Sequence, residues 1–374
     1  MAATTNQTPA PGLRRNAVGL REVLFQSITD MAPGAAIAAI AAIAASIPAG
    51  AALAVFLVIH AGSNNTLSVF GTSYTPNGFR GLSGVVAGSV YTVLAFGGFE
   101  GAPPLAKEAR DPGRTVQRAV LGATLGIGVL YLFTTYAADV AFGPAKFAGF
   151  SGAGPASWVG MARALYGAFW FFVFLAIVNS TIANANAGVN VSSRTAFAMG
   201  RIRAFPHFLA QVHHKHRSPV AAILTGTAVT IAVTLGLGLG YGPEVAFAMT
   251  GTAIVIVLAA IYIVVDAACI GFFAKRRHNW NPLLHLVIPV LGIATSVPAW
   301  LTAAGIHAFS FVAPLAPPVS YMGPGVAGWM VVGAVYLAYL YARDPQRVTD
   351  VGLVHLDGLV TEPGPVPASE GEPA

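Results

Sequence analysis

Eight long apolar segments constrain this chain more than any other feature. They lie at roughly 28–59, 85–106, 119–141, 166–199, 220–241, 244–274, 284–305 and 325–342. A helix needs about 20 apolar residues to cross the hydrocarbon core of a bilayer, and each segment is long enough or nearly so. A water-exposed globule is excluded: 55% of the residues are hydrophobic and only 9% charged, where a soluble domain carries about 25%. The sequence therefore predicts an all-α integral membrane protein with eight spans.

Lys and Arg set the expected orientation. With the N-terminus inside, Arg14, Arg15, Arg21, Lys107, Arg110, Arg114 and Arg118 fall on the cytoplasmic side, as do Arg201, Arg203, Lys215, Arg217, Lys275, Arg276, Arg277, Arg343 and Arg347. Only Arg80, Lys146 and Arg163 fall outside, and Arg194 lies within a span. This is a strong positive-inside pattern, and an odd span count would put basic clusters on the wrong side. The same pattern explains the formal charge of +6 without invoking nucleic acid. The expected location is the plasma membrane, multi-pass, with both termini cytoplasmic. The first apolar run is too long for a cleaved leader's core of about 7–15 residues. Residues 1–18 and 346–374 are polar or Pro-rich and are expected to be disordered tails around a transmembrane domain at 19–345.

The stretch "LAFGGFEGAPPLAKEARDPGRTVQRAV", Leu94 to Val120, places Glu100 inside an apolar span beside Gly97-Gly98 and ahead of Pro103-Pro104. A charge at a helix centre costs about 2.5–3.5 kcal/mol on insertion scales, so it faces a cavity or a partner. Each glycine weakens a helix by about 1 kcal/mol relative to alanine. An unwound turn here frees backbone groups, which membrane depth tolerates only in a cavity or inside protein. Two readings of these residues stand side by side: a cavity-lining helix break, and a kinked helix whose Glu100 bonds a neighbour.

A second interruption is signalled by "TDMAPGAAIA", Thr29 to Ala38, where Pro33 lacks an N–H and Gly34 tolerates unusual dihedrals. On its own this is an ordinary proline kink. Paired with the first, it resembles the broken helices of secondary transporters, whose half-helix ends bind charged substrate groups. In the fourth span, Asn179, Asn186, Asn190 and Ser193 share one helical face. Such a stripe either lines a path or hydrogen-bonds another helix, at about 0.6 kcal/mol per contact.

Other features carry less. "HHKH", His213 to His216, lies in a basic loop without a paired carboxylate, so a metal site is disfavoured. Gly122 and Gly126 form a GxxxG suited to close helix packing. Asp139 and Glu244 are expected at the outer interface, and Asp266 lies deeper. The single cysteine, Cys269, excludes a disulfide framework or thiolate cluster. No phosphate-binding loop, metal-ligand spacing or nucleophile-base motif is present, so nothing argues for an enzyme, a metal or a cofactor.

These stretches resemble the amino acid permeases of the amino acid–polyamine–organocation (APC) superfamily. "GLREVLFQSITDMAPGAAIA" is similar to that family's first transmembrane helix, and "VLAFGGFEGAPPLAKEARDPGRTVQRAV" to its sixth. "ANAGVNVSSRTAFAMGRIRAFPHFLAQVHHKHRSPVAAI" is similar to the eighth helix and the loop into the ninth. The resemblance, over roughly residues 19–345, implies a leucine-transporter-like fold with substrate held between two interrupted helices. It assigns main-chain carboxylate contacts to Pro33, Gly34, Ala35 and Ala36. It assigns the matching break to Phe96, Gly97 and Gly98, an aromatic wall to Phe99 or Phe96, and a gating or coupling role to Glu100. Asn186, Asn190 and Ser193 become candidate pathway residues.

The sequence departs from this family in one respect. Members have about twelve helices, whereas here "SIPAGAALAVFLVI" runs directly into "HAGSNNTLSVFGTSY". Helices two to four and part of the fifth are missing, leaving a partial fold. An even number of lost spans preserves the charge rule. The expected activity is secondary transport of amino acids or polyamines, proton-coupled or by exchange. The alternative is a non-transporting remnant or assembly partner. The expected partners are a small substrate, membrane lipid and, to restore the missing walls, a second copy of the chain.

Overall fold

A computed structural model describes residues 54–74, 81–104, 111–150, 156–215, 218–275, 280–312, 315–346 and 348. Among these residues the fold is helical throughout, with no strand. In chain order the helices are α1 (Ala54–Asn64), α2 (Leu82–Phe96), α3 (Pro112–Phe142), α4 (Ala156–Tyr166) and α5 (Trp170–Arg201). They continue as α6 (Val220–Tyr241), α7 (Pro243–Lys275), α8 (Ile288–Ala304) and α9 (Met322–Arg343). Among the described residues, seven stretches are long and apolar enough to cross a bilayer: 82–101, 113–142, 170–201, 220–241, 243–275, 283–304 and 319–343. They coincide with the last seven expected spans. Of the first expected span, only the end at α1 falls on described residues.

Local chemistry sets the element ends. α3 begins where Asp111 accepts the Arg114 N–H on its side chain at 3.3 Å, with Pro112 in the first turn. That is an N-cap followed by a proline whose missing N–H has no partner to lose. α3 stops at Gly143, whose φ of 99° suits glycine alone. α8 is entered through a π-type turn, Leu283–Val287, and carries Pro298 inside it.

Among the described residues, three small clusters hold the bundle. Ala54, Leu57 and Ala137 join α1 to the far half of α3, with Phe133, Trp158 and Met161 around them. Ala102 and Ala119 join the segment after α2 to the near half of α3. Val90, Val255, Ile256 and Ala303 join α2, α7 and α8, flanked by Leu94, Trp300 and Met322. Much of the remaining apolar surface faces outward, as on Leu239 and Trp329, which is the arrangement lipid accepts.

The Tyr336 hydroxyl of α9 donates to the Ala204 carbonyl just beyond α5 at 2.8 Å. The C-terminal ends of α5 and α9 therefore share one face of the bundle. Alternating spans require this, because four helix crossings separate the two ends.

Candidate functional site

The interruption in the first fully described span lies at the glycine pair. α2 ends at Phe96, and the Gly97 N–H donates to Val93 O at 3.0 Å and Leu94 O at 3.1 Å. Gly97 then adopts extended angles (φ −57°, ψ 129°), and Gly98 turns to φ 132°. An L side chain at that φ is strained, so the turn depends on glycine. A short 3-10 turn, Phe99–Gly101, follows.

The break releases terminal backbone groups, and side chains answer some of them. The Gly98 N–H donates to Glu100 Oε2 at 2.5 Å. The Tyr131 hydroxyl of α3 donates to Ala95 O at 3.1 Å. Glu100 Oε1 is buried with no hydrogen-bond partner among the described residues. The hydrogen-bonded reading of Glu100 is met through a neighbour in its own turn. One oxygen bonds a neighbour and shapes the turn, and the other is left over in the interior.

The aromatic residues flanking the glycine pair go opposite ways. Phe96 meets Tyr131 of α3 edge-on at 5.6 Å between centroids, and its ring lies over Gly128. Phe99 stacks on Tyr262 of α7 at 5.6 Å. The turn is thus wedged between α3 and α7, while α5 passes against Phe99–Gly101. One face of α7 follows α2 into the break. A Cβ on Gly251 would come within 2.7 Å of Leu94 Cδ2, and one on Gly97 within 3.0 Å of Leu258 Cδ1. Gly251, Val255, Leu258 and Tyr262 recur at helical spacing and form a single stripe.

The amino acid permease family model matches residues 24–339. The chain belongs to the amino acid permease family. It is 29% identical over 217 residues to an uncharacterized transporter of Mycobacterium tuberculosis, a stretch covering 57% of this chain and 46% of that protein. It is 28% identical over 150 residues to the low-affinity putrescine importer of Escherichia coli, covering 39% and 32% respectively. An uncharacterized transporter of Rhizobium meliloti matches at 28% over 166 residues, 41% of this chain and 35% of that protein. This permease-family chain spans about half the length, or less, of the curated relatives it matches.

The remaining expected residues distribute unevenly. Pro33, Gly34, Ala35 and Ala36 lie outside the described residues. Ser193 is buried, and its hydroxyl donates to Asn190 O at 3.2 Å. Arg194 Nη1 donates to both Asn190 O and Asn190 Oδ1 at 3.3 Å, so Asn190 is engaged within its own helix. Asn179 and Asn186 are exposed. Ser180, Ala187 and Phe197 are also buried on α5. The stripe divides along its length: Asn179 and Asn186 are exposed, whereas Ser193 is buried toward the end of α5 that packs against the 207–210 turn.

Gly122 and Gly126 are exposed, and a Cβ on Gly126 meets nothing within 4 Å. Among the described residues they do not mediate helix packing. Asp139 lies in the last turn of α3 and Glu244 in the first turn of α7. Asp266 faces Gly292 of α8, where there is no room for a Cβ. His213 Nδ1 accepts the Lys215 N–H at 3.2 Å. No group of three His, Cys, Asp or Glu able to hold a metal ion occurs among the described residues.

The stripe on α7 was not foreseen. α7 is apolar almost throughout, so hydropathy marks no face. The available signals were Gly251 and Tyr262, a small and an amphipathic residue eleven positions apart. Buried Tyr262 OH, Thr252 Oγ1, Thr302 Oγ1 and Trp300 Nε1 also lack partners among the described residues.

Proposed function

We propose that this protein is a secondary transporter that moves amino acids or polyamines across the plasma membrane, by proton coupling or exchange. The single observation that carries this reading is the helix break at Gly97-Gly98, with a buried Glu100 oxygen left over beside it. Burying a polar group without a hydrogen bond costs about 1–3 kcal/mol in proteins. A site that keeps such a group is suited to a ligand donor. Both substrate classes bring an ammonium group, whose attraction to a carboxylate grows as the dielectric falls. The putrescine importer among the relatives supports a cationic amine as one substrate class.

In the proposed orientation both termini are cytoplasmic, and the C-terminal ends of α5, α7 and α9 face inward, carrying Arg201, Lys275 and Arg343. The substrate's ammonium meets Glu100 at the break, and Phe96 and Phe99 bound the space beside it. A proton or a second substrate then replaces the ammonium at Glu100, and rocking of one helix bundle against the other would carry the site between the two sides.

A second reading is a membrane protein that does not transport, which rests on the direct run of "SIPAGAALAVFLVI" into "HAGSNNTLSVFGTSY" where the resemblance implies further helices. One experiment separates the two. Purified protein is reconstituted in liposomes and assayed for uptake of labelled amino acids and putrescine, with and without an inward proton gradient, beside Glu100→Ala. Saturable uptake lost in the variant supports transport. Absence of uptake by correctly inserted protein supports the second reading.

A further inference from the structure

A second polar site lies about α5's far end, away from the glycine break. Beyond α5 the chain reverses through Arg203, a non-glycine residue with φ 57° among the described residues. The Phe205 N–H then reaches back to Met199 O at 3.1 Å. This loop lies against the last turns of α9, pinned by the Tyr336–Ala204 hydrogen bond. Between them is an open cavity of about 480 Å³, lined by Arg203, Phe205, His207, Tyr336, Tyr339 and Leu340 among others. One turn further along α9, the Arg343 guanidinium lies 5.3 Å from the Tyr339 ring centre.

Three features of this cavity point to one ligand chemistry. Its donors are cationic or neutral: Arg203, His207 and the tyrosine hydroxyls, with no carboxylate among the described residues of its lining. Asp344 is the nearest acid along α9 and is not part of the lining. Exposed apolar residues lead away from it along a single face of α9, through Tyr336, Val332 and Trp329. And it sits at the ends of spanning helices, where headgroups meet the bilayer core. The left-handed backbone at Arg203 adds a fourth point. Glycine fits that angle better, so arginine is held there against its backbone preference.

We propose that this cavity binds the phosphate of an anionic membrane lipid, with the acyl chains lying along the exposed face of α9. Basic pockets between spanning helices on the cytoplasmic side suit such headgroups. The assignment to the inner leaflet rests on the orientation proposed above, while binding itself depends on neither orientation nor transport.

The test uses the full chain purified in detergent, with native mass spectrometry and thermal melting as readouts. The probes are dioleoyl phosphatidylglycerol, dioleoyl phosphatidylcholine and inorganic phosphate. Phosphatidylglycerol is expected to be retained and to raise Tm, with phosphatidylcholine and inorganic phosphate doing neither. Arg203→Gly is compatible with the backbone and keeps the fold. It should weaken phosphatidylglycerol retention roughly five-fold, the effect of one basic residue near an anionic surface. His207→Ala, at an exposed position, should weaken it in the same direction. Retention undiminished in both variants overturns the proposal. Equal retention of phosphatidylcholine, or equal stabilisation by inorganic phosphate, overturns it as well.

Discussion

The backbone N–H of Gly98 donates to the carboxylate of Glu100 at 2.5 Å, so the residue that carries the site's charge also holds open the turn that exposes it. Charge and shape are therefore coupled in one side chain, and removing either should have a different signature.

Glu100→Gln keeps an oxygen able to accept from Gly98 and removes the charge. It should insert and melt like the parent while uptake falls at least ~10-fold, the equivalent of about 1.4 kcal/mol. Glu100→Ala should lose both uptake and about 1 kcal/mol of stability, the value of one such hydrogen bond. Parallel melting curves and uptake assays check this; equal loss of stability in both variants would contradict it.

Gly98→Ala should destabilise by about 1–3 kcal/mol, because φ is 132° there. Gly126→Ala is the control. Its Cβ meets nothing within 4 Å, so helix propensity should make the change neutral or up to about 1 kcal/mol stabilising. The comparison is read from Tm in the same detergent.

Gly251→Ala should cost up to about 2 kcal/mol, the collision with the end of the Leu94 side chain outweighing the roughly 1 kcal/mol gained in helix propensity. In a Leu94→Ala background the same change should cost clearly less, because the colliding atom is gone. A double-mutant cycle measures the coupling, expected at about 0.5–3 kcal/mol for residues in contact. Additive costs would show that α2 and α7 do not meet there.

Tyr262→Phe keeps the stacking on Phe99 and removes a buried hydroxyl that lacks a partner among the described residues. Stability should be unchanged or raised. If the hydroxyl serves the proposed substrate, the KM for uptake should rise with little change in Vmax; an unchanged KM assigns it no substrate contact.

Much of the architecture was legible before any coordinates. Seven apolar segments became spanning helices near their expected limits, because length and hydropathy decide insertion. The break at Gly97-Gly98 was legible too, because it is local: two glycines end the ladder, and a carboxylate two residues on caps the freed N–H. Less readable was the orientation of the Asn186–Ser193 stripe, which periodicity placed on one face and packing then divided between an exposed Asn186 and a buried Ser193.

The amino-acid sequence alone determined that this chain crosses a membrane repeatedly, where its second span is interrupted, and which permease motifs it carries. The tertiary structure decided which faces meet. It aligned Gly251, Leu258 and Tyr262 of α7 with α2 and the break, turned Gly122 and Gly126 outward, and joined Arg203 to Tyr336 across 133 positions of chain. In water, an apolar stripe announces the buried side of a helix. In lipid, both sides are apolar, so the choice of partner rests on shape and on a few polar contacts that hydropathy does not record.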